Sequence, residues 1–122
     1  MTTPNDFEIF VLECKNWINF LGLFGWQIYY YHEELEEDSC ATCSVSLSAR
    51  VCSIRLNTKW EDYTEKELKQ VAFHEVCELF FARIEVLATD RGYTDDDIRE
   101  EIHNLIRIME KTFYANIQAK RV

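Results

Sequence analysis

Between Phe7 and Leu21 apolar residues recur every three or four positions (Phe7, Phe10, Val11, Cys14, Trp17, Ile18, Leu21), the spacing of one face of an α-helix. Thr3 ahead of it is a suitable N-cap, with Pro4 at the first helical position and Asp6 at the third, and Gly22 is a suitable stop. From Gly25 the period shortens. Trp26 to His32 is rich in aromatic residues and predicts a strand, which the acidic run Glu33–Asp38 ends in a solvated loop. Ala41, Cys43, Val45 and Leu47 then alternate with Thr42, Ser44, Ser46 and Ser48, the pattern of a half-buried strand. A turn near Ser48-Ala49-Arg50 leads into Cys52, Ile54 and Leu56, which alternate with Ser53 and Arg55. Three antiparallel strands are expected, followed by a connecting loop from Asn57 to Tyr63. Thr64 and Glu67 form a capping box that opens a long helix running to about Ala88. A turn over Asp90–Tyr93 precedes a last helix, capped by Thr94 with Asp95, Asp96 and Asp97 and carrying the apolar seam Ile98, Ile102, Leu105, Ile106, Met109, Phe113 and Ile117. The predicted fold is one α+β domain over residues 1–122: an N-terminal helix, a three-stranded antiparallel sheet and two further helices packed on it.

One stretch of this pattern asks for a chemical explanation. Val71 to Ala82 is apolar apart from His74, Glu75 and Glu78. Stripping water from a carboxylate is expensive, so charged groups in apolar surroundings need a partner. On a helix His74 and Glu78 lie one above the other, with Glu75 about 100° further round. That is the arrangement of the His-Glu-x-x-His metal motif, in which two ligands stand at i and i+4 and the Glu between them acts as general base. Here the second ligand position holds Glu78, whose carboxylate oxygen is also a competent zinc ligand.

With the chain around it, from Trp26 to Phe113, this segment resembles the small zincin-like metallopeptidases common in phage and bacterial genomes. The resemblance rests on the short sheet ending in Ile54-Arg55-Leu56-Asn57, the His74-Glu75 helix and the helix after it. It implies a zincin-like fold and zinc or another divalent ion held by two residues of the motif helix and one later residue. It also implies metal-dependent hydrolysis of peptide bonds, with the motif Glu, here Glu75, activating water. The chain departs from the family pattern at Glu78, which bears on the peptidase activity more than on the fold.

Two readings of the motif helix stand side by side. Glu67, His74, Glu78 and Glu85 fall within about 40° of one another on the helical wheel, which also describes the solvated stripe of an amphipathic helix. For a metal site, a third ligand is needed. The last helix offers Glu101 and His103, and antiparallel packing of the two helices gives His103 a height compatible with His74 and Glu78. His74, Glu78 and His103 form the preferred set. Glu101 in place of His103 would suit harder metals such as manganese. Cys40 and Cys43 have the spacing of a zinc knuckle, but there is no second such pair, so buried reduced thiols are the expectation, with Cys52 placed to lie beside Cys43. Cys77 is about 100° from Glu78, which disfavours a Cys-His nucleophile.

Composition narrows the partners. The formal charge of −9 repels phosphate backbones, so nucleic acid is not an expected partner, and Lys120-Arg121 is the only adjacent basic pair. There is no export signal at the start and no apolar run long enough to span a bilayer. Five cysteines, an odd number, fit reduced thiols in a cytoplasmic protein better than a disulfide framework. Peptide or protein is the expected substrate or partner. The alternative function is a catalytically inactive domain of the same fold that binds another protein through its acidic surface or its aromatic strand.

Overall fold

The computed structural model describes residues 1–89 and 92–115. Asp90 and Arg91 of the expected turn, Ile117 of the expected seam and the pair Lys120-Arg121 lie outside the described residues. The start signals of the sequence are all in use. Thr3 Oγ1 accepts the Asp6 amide at 3.1 Å while the Asp6 carboxylate accepts the Thr3 amide at 2.8 Å, so helix α1 (Pro4–Phe20) opens with a reciprocal capping box. Gly22, at φ +67°, then turns the chain, as a side chain with a Cβ would resist. Strands β1 (Gln27–Glu33), β2 (Ala41–Ser46) and β3 (Val51–Asn57) follow, then helices α2 (Glu65–Thr89) and α3 (Asp95–Met109), the latter running into a π-helical turn, Glu110–Tyr114. Thr64 and Thr94 cap the two later helices through the amides of Glu67 and Asp97. No helix among the described residues is long and apolar enough to cross a membrane.

The domain is α+β, but its sheet is mixed, which corrects the expectation of three antiparallel strands. The order is β1-β3-β2, with β2 antiparallel to β3 and β1 parallel to it. The reason lies in the two connections. Between β2 and β3 the chain turns tightly over Leu47–Arg50, with the Arg50 amide bonded to the Leu47 carbonyl at 3.2 Å and Arg50 itself at φ +54°, so these two strands are a hairpin. The acidic segment after β1 is seven residues long, and the turn within it, closed by the Ser39 amide on the Glu36 carbonyl at 3.0 Å, does not make a second hairpin. It crosses the end of β3 instead, leaving β1 to pair on the far side of β3.

Asn57, expected in a loop, is what holds that crossing. It ends β3 and is buried. Its Oδ1 accepts the amides of Leu35 and Lys59 at 3.1 and 2.9 Å, and its Nδ2 donates to the carbonyls of Ser39 and Glu36 at 2.6 and 3.3 Å. Its own amide bonds the Cys40 carbonyl at 2.9 Å. One side chain thus satisfies three backbone groups of the crossing segment, which otherwise has no ladder to join, and the amide of Lys59 just after β3.

Register sets which strand residues face the helices. Ile28, Tyr30 and His32 of β1 pair with Cys52, Ile54 and Leu56 of β3, which pair in turn with Val45, Cys43 and Ala41 of β2. All nine therefore share one face. Against it pack α1, through Phe10 and Cys14, and α2, through Leu68, Ala72, Val76 and Leu79, all buried. The other face exposes Tyr29, Tyr31, Ser44 and Ser46.

Candidate metal centre

Helix α2 buries Leu68, Ala72, Glu75, Val76 and Leu79, residues three or four apart that form a single stripe toward the sheet. Glu75 thus takes a core position. It is only 4 % exposed, and its Oε2 is buried with no hydrogen-bond partner among the described residues. His74 and Glu78, one step round the helix, stand at the rim at 69 % and 49 % exposure, 3.4 Å apart between Nε2 and Oε1. Glu67 and Glu85, further along that line, are exposed, so the stripe seen on the wheel is solvated along its length and closes on the core only through Glu75.

What Glu75 and Glu78 meet is β2. Ligating atoms of Cys43, Glu75 and Glu78 all lie within 4.8 Å of one another, a compact group of metal-binding side chains among the described residues. Cys43 reaches it because strand alternation turns it to the helix-covered face, and because β2, at the sheet edge, runs under α2. Behind Cys43 lies Cys52 of β3, with the two sulfurs 3.4 Å apart and both thiols free. Beside the group a cleft of about 280 Å³ is lined by Cys43, Val45, Glu78, Ala82, Glu85 and Val86.

The electrostatics follow from this crowding. Burial, then a side-chain hydrogen bond with Glu78, then the negative charges of Glu78 and Cys52 push the Glu75 carboxyl up to about 8. The Cys43 thiol is also held above its ordinary value, by its contact with Cys52, by burial and by the carboxylates. Without a cation the site therefore favours the protonated forms of Glu75 and Cys43. A divalent ion would reverse that preference, since metal ligands bind as anions.

The residues expected from sequence are only partly brought together. Glu78 adjoins both Glu75 and His74, but His103 is exposed on α3 and is not in the group. Two residues before it, Glu101 faces inward, buried, and is engaged by Arg83 of α2 at 3.0 Å. A separation of two residues is about 200° of helix, so when Glu101 faces α2 its neighbour His103 is turned to solvent. Matching heights on two helices did not fix their rotation. Cys43 is the member of the group that the sequence reading did not include. The signal for it was present in the alternation that turned it inward and set Cys52 beside it, but the sequence does not say which helix face covers β2.

No protein-family model, curated protein or solved structure matches the chain. Its class is defined by its own geometry: an α+β domain with a mixed sheet and a thiol–dicarboxylate cluster between the long helix and the edge strand.

Proposed function

We propose that this protein binds one divalent metal ion of the zinc class between α2 and β2, with Cys43, Glu75 and Glu78 as donors. The observation that carries this reading is Glu75 Oε2, a buried carboxylate oxygen with no hydrogen-bond donor among the described residues. A cation beside two carboxylates and a thiol would satisfy it and relieve the repulsion between Glu75 and Glu78. Sulfur and oxygen donors together suit zinc. The His-Glu-x-x-Glu spacing and the resemblance to zincin-like metallopeptidases point the same way. When bound, the ion would offset the negative charge gathered between α2 and β2 at the edge of the cleft. His74, 3.4 Å from Glu78, helps to fix the orientation of that carboxylate. Glu75, cast by the resemblance as general base, is better placed as a ligand, because it is buried among the other donor atoms. Binding, and not peptide hydrolysis, is therefore the function assigned.

The test is the metal content of protein loaded with zinc and exhaustively dialysed, read by elemental mass spectrometry. Wild type and His103→Ala are each expected to retain one equivalent, and Cys43→Ser to lose it. His74→Ala is expected to bind roughly tenfold more weakly, as for a residue that orients a ligand. Loss of metal from His103→Ala with retention in Cys43→Ser would move the site to the α3 side of the helix and overturn this reading.

A further inference from the structure

We infer that Cys52 completes this site as a fourth donor, making it a closed centre of two thiolates and two carboxylates that clamps α2 to both strands of the hairpin. This rests on the metal-binding reading above and says what kind of site it is. Cys43 and Cys52 are not directly opposed: Cys43 pairs with Ile54 and Cys52 with Val45, so the two are diagonal neighbours. Diagonal positions on antiparallel strands stand about 7–8 Å apart at Cα. Disulfides need about 6.8 Å or less. The pair is thus poorly placed for a disulfide, yet its sulfurs lie 3.4 Å apart. Two sulfurs bound to one zinc at about 2.3 Å in a tetrahedral arrangement are separated by about 3.8 Å. Opening the two thiols by a few tenths of an ångström gives the separation of two sulfurs on one zinc, and Cys52, whose sulfur stands outside the 4.8 Å group of Cys43, Glu75 and Glu78, would move toward the carboxylates to share the ion.

Four protein donors fill a tetrahedral shell and leave no position for water, the mark of a structural site and not of a catalytic one. Two of the four are soft sulfur ligands, which select zinc, cobalt or cadmium over magnesium, calcium or manganese. The donors come from three elements: β2, β3 and the long helix. The ion would then lock the edge strand beneath α2, where the sheet is otherwise held by a single ladder.

The direct measurement is X-ray absorption at the zinc edge of wild-type protein loaded with one equivalent of zinc under reducing conditions. Two sulfur scatterers per zinc at about 2.3 Å are expected. A single sulfur would overturn the inference while leaving the three-donor site standing, whereas failure of wild type to take up zinc would overturn both. Cobalt provides a second reading in solution. Cys52→Ala is expected to bind cobalt more weakly, with the thiolate-to-cobalt charge-transfer absorption reduced to half, and Cys77→Ala to leave it unchanged. A Cys52→Ala spectrum as intense as that of wild type would contradict a Cys52–metal bond.

Discussion

Metal-free Glu75→Gln is expected to be more stable than the wild-type protein at pH 8, and the advantage should shrink as the pH falls. In the folded chain Glu75 keeps its proton up to about 8, against an ordinary value of 4.5. Between these two values the folded state binds a proton that the unfolded state has released, so wild-type stability falls as the pH rises through that window. Below about 4.5 both states are protonated and the penalty vanishes. Each unit of pKa difference corresponds to about 1.4 kcal/mol, so the gap between variant and wild type should widen by about 2–4 kcal/mol from pH 4.5 to 8. Gln is nearly isosteric and neutral throughout, so it escapes the penalty while filling the same space. Urea denaturation of both proteins in chelator, at several pH values, measures the gap. Parallel pH profiles would mean that Glu75 is not strained by burial. A natural chain that holds a destabilising carboxylate at a core position is explained if a cation satisfies it, and zinc should restore to wild type at pH 8 the stability that Gln gives the variant.

Asn57→Ala is expected to cost about 2–4 kcal/mol. The change leaves the amides of Leu35 and Lys59 and the carbonyls of Ser39 and Glu36 without their side-chain partner. Partly buried groups left unpaired cost about 1–3 kcal/mol each, reduced here by the water that exposed neighbours such as Glu36 and Glu37 admit. Asn57→Asp should also destabilise, because it keeps the two acceptor bonds but turns a carboxylate oxygen toward two carbonyls. A destabilisation by Asn57→Ala of less than about 0.5 kcal/mol would mean that the crossing segment is held by its backbone alone.

The helices were legible in the sequence because their signals are local. Thr3 with Asp6, Thr64 with Glu67 and Thr94 with Asp97 announce helix starts within four residues, and the structure uses all three. Strand faces were legible for the same reason, since alternation alone turned Cys43, Cys52 and Ile54 inward. Strand order was not. It depends on where a seven-residue connection travels, and the residue that guides it, Asn57, gives no periodic signal. The candidate site divides in the same way. His74, Glu75 and Glu78 stood out because charge interrupts an apolar run. The partner from outside the helix required knowing how α2 is rotated over the sheet and how α3 is rotated against α2. Those angles come from packing of whole faces, with Glu101 drawn inward to Arg83 and His103 left outside.

The claim on which the rest depends is that Glu75 is a metal donor, and calorimetric titration of zinc into wild type and Glu75→Gln at pH 7.5 tests it most directly. Wild type is expected to bind one zinc ion with release of protons from Glu75 and Cys43, detectable as a heat that varies with the buffer used. Glu75→Gln, folded and more stable without metal, is expected to show no such binding. Equal zinc affinity in the two proteins, or no zinc binding by wild type, would contradict it.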